Sequence, residues 1–294
     1  MEKYVEIKDI GRDFTPKHIF ECGQCFRYYK EKDESYTIVA KNKVINVKKI
    51  ENNIVLKNTT DNDVNDIWYD YFDLGTDYSN IKEKLSENDK HLKISTEFGS
   101  GIRILNQELF ECIISFIISA NNNIPRIKGI IESLCKTYGE EIKYCGNTYY
   151  TFPDIERLKH LKKDDLAFLR AGYRDSYLLD AFNKISLNEV DLKKIETGNT
   201  QEAKEELIKI KGIGNKVSDC ILLFGNKRRE MFPVDVWVKR SIKELYYDEL
   251  KEHSIQDFAR IKFGDFAGYA QQYLFYYMRE NSSGGILNGK RKEL

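Results

Sequence analysis

Two side chains that can carry out covalent and acid–base chemistry, Lys216 and Asp235, lie nineteen residues apart in this 294-residue chain. A lysine amine is a nucleophile only when it is deprotonated, and a helix N-terminus together with partial desolvation favours that form. A carboxylate beside it can hold the amine, move protons or stabilise positive charge on a sugar. Asp235 can also cap a helix that begins at Val236, an interaction worth about 1 kcal/mol, and both roles can hold at once.

Lys216 follows two glycines, Gly212 and Gly214, in the segment LIKIKGIGNKVSDCILL at 207–223. Apolar residues at 207, 210, 213, 217, 221 and 222 predict two short helices joined by a tight hairpin, with Ile213 plugging it. The N–H groups of the glycines and of the next helical turn would then point outward at a positive helix end, which suits a phosphate oxygen. An ordinary corner between two helices, without a ligand, is the alternative.

Charge supports this interpretation only locally, because 47 basic and 47 acidic residues cancel over the whole chain. Residues 61–80 hold six Asp and no Lys or Arg, whereas residues 204–229 hold seven basic and three acidic residues. The second stretch could face phosphate, but two solvated helical faces of opposite sign explain the pattern equally well.

The six cysteines include one CxxC pair, Cys22 and Cys25, and there is no second pair to complete four zinc ligands. A redox role for the pair is rejected, since a thioredoxin-like motif lies between a strand and a helix, whereas CGQC leads into a predicted strand. The remaining cysteines are expected to be reduced, small apolar residues. We therefore predict no metal site.

The order of the predicted elements indicates an α+β protein. Segments 25–30, 35–40, 43–49 and 53–58 alternate Tyr, Ile and Val with polar residues, which is typical of an antiparallel meander. From residue 63 the apolar spacing changes to three and four, which predicts helices. The predicted helices span 106–120, 124–138, 154–160, 164–170, 175–185, 200–210, 215–224, 236–246, 255–263 and 266–279.

We divide the chain into an antiparallel β-sheet domain with flanking helices at 1–95, a helical region at 96–285 and a basic tail at 286–294. The helix-hairpin-helix falls at about 200–225 within the helical region. The longest apolar run, 109–120, has twelve residues, fewer than the roughly 20 that cross a bilayer. The N-terminus shows no secretory signal, so we expect an intracellular protein, in the cytoplasm or nucleoid if it is bacterial.

Six motifs make the chain resemble a known family, the helix-hairpin-helix (HhH-GPD) base-excision DNA glycosylases, and within it the 8-oxoguanine DNA glycosylases. They occur in the family's order: CGQCFR at 22–27, SANNNIPRI at 119–127, GYR at 172–174, GIGNKVSDC at 212–220, FPVDV at 232–236 and FAGYAQQYLF at 266–275. The resemblance implies an N-terminal antiparallel sheet domain, then a two-part helical region with the active site in the cleft between its parts.

The resemblance also implies a bifunctional DNA glycosylase and AP lyase. The enzyme extrudes the damaged nucleotide from the duplex, which costs a few kcal/mol of unstacking. Lys216 then attacks the anomeric carbon, expels 8-oxoguanine and forms a Schiff base, and β-elimination of the 3′ phosphate follows. Asp235 stabilises the oxocarbenium charge and orients the nucleophile.

Recognition of the base is assigned by the same resemblance to four residues. The Gly23 carbonyl accepts from the ring nitrogen that oxidation turns into a donor, and Gln271 bonds the pairing edge. Phe275 and Cys220 sandwich the two faces. Cys220 lies four residues after Lys216, so the helical spacing independently places both on one face. Otherwise Gln271 would be a surface amide, Phe275 a core aromatic and Gly23 a bulge.

For the strand opposite the lesion, the resemblance assigns Asn121, Arg126 and Arg174 to the orphaned cytosine and Tyr173 to a wedge in the gap. Two guanidinium groups and an amide suit the acceptors of cytosine, so we predict a preference for cytosine. The Asn residues at 121–123 also predict a turn between two helices with an Asn cap.

DNA phosphates are assigned to Gly212, Gly214, Val217 and Trp237. Trp237 departs from the family pattern, since better-known members carry histidine there, and an indole donates without a charge. The chain lacks the CxxxxxxCxxCxxxxxC array of the iron–sulfur branches, so no cofactor is expected, although a monovalent or divalent cation at the hairpin–phosphate contact is left open. We expect damaged double-stranded DNA as partner, no membrane, no obligate protein partner and a monomer.

Two other functions remain open. A glycosylase of the same superfamily acting on another damaged base would keep the hairpin, Lys216 and Asp235, but Gln271, Phe275 and Gly23 argue against it. A hairpin protein that only binds DNA would keep the two glycines and have no reason to place the lysine and the aspartate together.

Overall fold

The computed structural model describes residues 3–250 and 253–282, and the predicted basic tail at 286–294 lies outside them. The N-terminal part is a five-stranded antiparallel sheet in the order β1-β5-β4-β3-β2. Its strands are β1 (Tyr4–Ile7), β2 (Tyr28–Lys30), β3 (Tyr36–Ala40), β4 (Lys43–Ile50) and β5 (Asn53–Lys57). Strands β2 to β5 follow one another as a meander, so that prediction is confirmed.

A layer of apolar side chains covers one face of this sheet. Trp68, fully buried, packs there against Phe72, and its indole N–H donates to Thr59 Oγ1 at 2.9 Å. The short helices α1 (Pro16–Phe20), α2 (Asp61–Asp63) and α3 (Tyr69–Tyr71) lie on this side, with a π-helical stretch Val64–Trp68 between the last two. The sheet therefore has its own core.

The second core belongs to the helices. They are α4 (Tyr78–Ser86), α5 (Lys90–Phe98), α6 (Leu109–Ser119), α7 (Ile124–Tyr138), α8 (Ile155–Leu158), α9 (Arg174–Ser186), α10 (Leu192–Thr197), α11 (Thr200–Ile208), α12 (Asn215–Gly225), α13 (Val236–Leu245), α14 (Ile255–Phe263) and α15 (Ala267–Ser282). Helix α6 is buried on nearly all sides and packs against α12. None of the helices in the described ranges is long and apolar enough to span a membrane.

Several predicted limits and one helix type are wrong. The strand predicted from residue 25 begins at Tyr28. The carbonyl oxygen of Arg27 still accepts from the N–H of Val39 at 3.2 Å, while its side chain pairs with Glu111 at 3.4 Å between the sheet and the helices. The helix predicted from residue 106 begins at Leu109, since the N–H of Gln107 bonds the carbonyl oxygen of Phe224 instead. The helix predicted at 164–170 is a 3₁₀ helix, Lys163–Leu169.

The prediction gave no limits for β1, for the helices α1 to α5, for α10, or for a hairpin of β6 (Glu141–Tyr144) with β7 (Asn147–Tyr150). The hairpin turns through Cys145 and Gly146, both with positive φ of 47° and 77°. Two left-handed residues in succession are typical of a tight hairpin turn, and Gly is suited to the second position. The α+β fold class is confirmed, with an N-terminal sheet and a mainly helical remainder.

Candidate active site

The predicted hairpin is present, and it places Lys216 in the first turn of α12. Helix α11 ends at Ile208, and Gly212 turns the chain with φ of 89°. Gly214 is the N-cap of α12 and has no side chain that could accept from the helix. The N–H groups of the first turn of α12 therefore lack intrahelical acceptors and are available to an anion.

Lys216 is half-buried beside α6 and α13. Its Nζ lies 5.9 Å from the ring centroid of Phe116, and it lines a small cavity together with Asp235 and Cys220. The two residues that the sequence singled out for chemistry thus meet at one cavity, although they belong to different helices. Phe116 and Pro233 also line this cavity and were not predicted as site residues. Phe116 is one of many apolar residues within a helix, so its sequence pattern did not indicate that it lines a site.

The pKa of the Lys216 ammonium is raised above its ordinary value. The main cause is the adjacent Cys220 sulfur, burial acts in the opposite direction, and the Asp235 carboxylate raises it further. Burial also raises the pKa of the Cys220 thiol to about 11. Desolvation lowers the pKa of Lys216, in the direction that the sequence argument gave, but Cys220 and Asp235 act against it, so the ammonium is favoured in the protein without DNA.

A pH dependence follows from this direction. Because the charged ammonium is favoured, the fraction of nucleophilic amine grows about tenfold for each pH unit below the pKa. We expect the single-turnover rate of base release to rise steadily between about pH 6 and about pH 9, below the ordinary lysine value of about 10.4. A rate that is flat over this interval would show that deprotonation of Lys216 does not limit the reaction.

Asp235 begins α13 and has the geometry of a helix cap. Its Oδ1 accepts from the N–H of Val238 at 2.7 Å, as the sequence predicted. Only one oxygen is used in this bond, so the other is available toward the cavity that Asp235 lines with Lys216. The capping bond fixes the carboxylate, and a fixed negative charge stabilises a developing positive charge without reorganising.

The residues predicted to hold a base line the same cavity as Lys216 and Asp235. It measures about 50 Å³, and its walls include Gly23, Cys220, Gln271, Phe275 and the neighbouring Cys22, Gln272 and Phe224. Pockets that hold small molecules have volumes of roughly 300 Å³ or more. A purine therefore enters only after a wall has moved, and the ring of Phe275 is one of the walls that is only half-buried.

Gln271 has an unsatisfied polar atom at this cavity. The residue is 5% exposed, and its Oε1 has no hydrogen-bond partner among the described residues. A buried carbonyl oxygen without a donor costs about 1–3 kcal/mol, so a ligand that donates to it recovers that energy. The adjacent Gln272 is satisfied, since its Nε2 donates to the carbonyl oxygen of Cys22 at 2.9 Å.

Gly23 occupies a position where any other residue would be strained. It has φ of 83°, and a Cβ there would lie 3.2 Å from the Phe275 ring and 3.3 Å from Nη1 of Arg279. Its loop is held on one side by Gln24, whose Nε2 donates to the carbonyl oxygen of Ile19 at 2.8 Å. The CxxC pair is part of this loop, with both thiols buried and free, so the rejection of a redox pair agrees with its surroundings.

The residues predicted to face the opposite strand are close together but differ in exposure. Asn121 has φ of 50° and is exposed, and Tyr173 is 50% exposed as a wedge requires. Arg126 donates through Nη2 to the carbonyl oxygen of Arg170 at 2.9 Å. These side chains surround one exposed turn, 120–123, between α6 and α7.

Arg174 is 3% exposed and turned inward. It donates to the carbonyl oxygen of Ala120 at 2.9 and 2.6 Å, to that of Asn121 at 2.7 Å and to that of Ala171 at 3.1 Å. A guanidinium has five N–H groups, and these four bonds use all but one of them. In the protein without DNA, Arg174 holds the turn that presents Asn121.

The four residues assigned to phosphates form two groups. The first group belongs to the hairpin and consists of Gly212, Gly214 and the buried Val217. The backbone of Val217 is in the first turn of α12. Trp237 lies in the first turn of α13, is 42% exposed and has no charge. Its contact with DNA stays a prediction.

The hairpin glycines support a matched pair of variants. A Cβ on Gly212 would lie 2.2 Å from the ring of Tyr177 at a φ of 89°, whereas a Cβ on Gly214 would meet nothing within 4 Å. Gly212→Ala should therefore lower the free energy of unfolding by about 1–3 kcal/mol, and Gly214→Ala by less than about 1 kcal/mol. Both should weaken DNA binding. Urea unfolding measures the difference, and equal stability of the two variants would contradict this packing.

Comparison with known proteins identifies the family. Residues 8–113 match the sequence model of the 8-oxoguanine DNA glycosylase N-terminal domain. Residues 114–262, half of the chain, match that of the HhH-GPD superfamily of base excision DNA repair proteins. The chain belongs to the HhH-GPD superfamily. These matches, together with the relatives described next, confirm the predicted family and the enzyme class, a DNA glycosylase with AP lyase activity.

Relatives of this HhH-GPD protein include curated enzymes from an archaeon and a yeast. A probable N-glycosylase/DNA lyase of Methanothermobacter thermautotrophicus is 33% identical over 242 residues, 75% of this chain and 76% of that protein. The N-glycosylase/DNA lyase of Saccharomyces cerevisiae is 33% identical over 230 residues, 66% of this chain and 61% of the yeast protein.

Solved structures of the superfamily agree with the fold. The 8-oxoguanine glycosylase/lyase of Clostridium acetobutylicum, in complex with double-stranded DNA containing cytosine opposite 8-oxoguanine, superposes with a TM-score of 0.90 at 42% identity. The match covers 96% of this chain and 98% of that chain. A 3-methyladenine DNA glycosylase from Archaeoglobus fulgidus, 20% identical with a TM-score of 0.73, shares the fold and covers 94% and 98% of the two chains.

Proposed function

We propose that the protein excises 8-oxoguanine opposite cytosine from double-stranded DNA and then cleaves the strand, with Lys216 as the nucleophile. The observation that carries the proposal is the convergence on one cavity of Lys216 and Asp235 with the base-recognition residues Gly23, Gln271 and Phe275. A protein that only binds DNA through its hairpin would need Gly212 and Gly214. It would not need Lys216, Asp235 and the base-recognition residues to meet at one cavity.

The reaction begins when the flipped nucleotide moves Phe275 and fills the cavity. Lys216 loses its proton, and its Nζ attacks the anomeric carbon while the bond from that carbon to the base nitrogen breaks. The electron pair of this bond leaves with the base, which takes up a proton. Positive charge accumulates on the sugar during the attack, and the fixed carboxylate of Asp235 stabilises it.

The covalent sugar then opens to a Schiff base: the lone pair of Lys216 Nζ forms the second bond to the anomeric carbon while the bond from that carbon to the ring oxygen breaks, and the ring oxygen keeps the electron pair and takes up a proton. The protonated imine withdraws electrons from the neighbouring carbon, which loses a proton, and the 3′ phosphate leaves with its electron pair. This is β-elimination, and it requires a lysine in place of a water nucleophile. One chain supplies every side chain used in these steps, so we propose a monomer that needs no cofactor and no second protein.

Recognition of the base uses its changed hydrogen-bonding edge. The ring nitrogen that becomes a donor on oxidation meets the Gly23 carbonyl, and the pairing edge supplies a donor to the buried Oε1 of Gln271. A site built to bond a polar group rejects the analogue without it strongly, because its own polar atom is left unpaired. Undamaged guanine lacks the first of these donors and is expected to be rejected.

The test uses duplexes with 8-oxoguanine opposite cytosine, adenine, guanine or thymine, with a duplex that carries undamaged guanine as control. We expect released 8-oxoguanine and, with borohydride, a covalent protein–DNA adduct, both formed fastest opposite cytosine. Release without an adduct would support a hydrolytic glycosylase. Tight binding without release would support a DNA-binding module, and equal rates opposite all four bases would contradict the roles of Asn121, Arg126 and Arg174.

A further inference from the structure

Arg279 touches both walls of the base cavity without lining it. It lies on α15, one helical turn after Phe275, and its Cζ is 5.5 Å from the centroid of the Phe275 ring. Its Nη2 donates to the carbonyl oxygen of Glu21, at the start of the loop that carries Gly23. One guanidinium therefore joins the loop of the N-terminal part to the aromatic wall of the helical part.

The contact with the loop is close enough to fix its position. Nη1 of Arg279 lies 3.3 Å from the point that a Cβ on Gly23 would occupy. Glu21 is itself anchored to the sheet, since its Oε1 accepts from the Tyr36 hydroxyl at 2.5 Å. Glu21 is therefore bonded both to the sheet, through Tyr36, and to helix α15, through Arg279.

The guanidinium is oriented from the solvent side as well. Glu280 Oε1 accepts from Arg279 Nη2 at 2.9 Å and from Nε at 3.2 Å, and the Arg279 side chain is 18% exposed. A planar guanidinium that is hydrogen-bonded to both Glu21 and Glu280 keeps its orientation, whereas a lysine at the same position would supply a point charge on a flexible side chain. The geometry of the guanidinium, beyond its charge, therefore matters here.

We propose that Arg279 is a positioning residue for base discrimination, which fixes the loop that carries the Gly23 carbonyl relative to the backbone of helix α15. The inference rests on the proposed function, because it concerns the fit of the flipped base. When Phe275 moves to admit the base, Arg279 holds the loop in place, so that only the aromatic wall yields. Without it, the Gly23 carbonyl loses its alignment with the ring nitrogen that distinguishes the oxidised base.

The proposal separates two reactions that share Lys216. Release of a base needs the cavity, whereas Schiff-base formation at a preformed abasic site has no base to fit. Arg279→Met keeps the length and apolar stem but removes the donors. A misplacement of a positioning group by about 1 Å costs up to about 100-fold in rate, so we expect single-turnover release of 8-oxoguanine to fall about 10- to 100-fold. Borohydride trapping on abasic-site DNA should change by less than about twofold.

The controls are Arg279→Lys, expected to recover part of the lost rate, and Arg260→Met, a change at an exposed arginine of α14 that should leave both reactions unchanged. The ratio of 8-oxoguanine release to guanine release should also shrink in Arg279→Met. Unchanged release, or an equal loss of release and of abasic-site trapping in both Arg279 variants, would overturn the proposal. If the wild-type protein itself releases no 8-oxoguanine, the proposed function is wrong, and this result is distinct from those that overturn only the role of Arg279.

Discussion

Lys216→Gln should form no covalent adduct with DNA in the presence of borohydride, at either an 8-oxoguanine or an abasic site. An amide cannot form an imine, so both strand cleavage by β-elimination and trapping disappear. Release of 8-oxoguanine should fall by at least about 10³-fold, the order of effect seen when a nucleophile is removed. Gel trapping and single-turnover base release measure the two losses.

The matched control is Lys193→Gln, since Lys193 is an exposed lysine on α10. It should trap and cleave at the wild-type rate. Lys216→Gln should still bind the damaged duplex, because the hairpin N–H groups are unchanged, and a binding measurement separates lost chemistry from lost contact. An adduct that persists in Lys216→Gln would mean that another amine is the nucleophile.

Asp235→Asn should slow base release by about 10²- to 10³-fold, the usual effect of removing one fixed electrostatic group from a transition state. Asn caps helices as well as Asp does, so the bond to Val238 can remain and the free energy of unfolding should change by less than about 0.5 kcal/mol. Asp235→Ala should lose the same charge and about 1 kcal/mol more stability. Together the variants separate the charge from the cap.

The pH profile of Asp235→Asn provides a second measurement. The pKa of Lys216 is held up first by the Cys220 sulfur and then, against burial, by the Asp235 carboxylate. Removing the carboxylate lowers that pKa, so the rise of the rate with pH should level off at a lower pH than in wild type. A wild-type rate and profile in Asp235→Asn would show that the residue is only a cap.

Local signals in the sequence were sufficient for most of the fold. Helix α7 was predicted with its observed limits, Ile124–Tyr138, because Asn123 caps it and Gly139 follows it. The β6–β7 hairpin was missed, since its strands have four residues each and its turn carries a non-glycine residue with positive φ. Short strands depend on tertiary packing more than on propensity.

The site could be predicted only in part from residue spacing. Lys216 and Cys220 follow from helical spacing, but Gly23, Gln271 and Phe275 joined them through family resemblance, because no local pattern reports contacts between distant segments. The balance of effects on the pKa of Lys216 could not be read from the sequence for a related reason. Burial was inferred from the sequence, whereas the opposing effects of Cys220 and Asp235 depend on distances in the folded protein.

The cavity is assembled from separate stretches of chain, with Gly23 on a loop before β2 and Lys216 on α12. Under the proposed function, the loop residue that reads the base and the lysine that breaks the bond lie in different parts of the chain, although Cys220 shares α12 with Lys216. We therefore expect substitutions in the loop to change which lesion is admitted while the nucleophile and its carboxylate stay intact. Such modularity gives evolution, and enzyme engineers, a way to retarget the repair of DNA damage without rebuilding its chemistry.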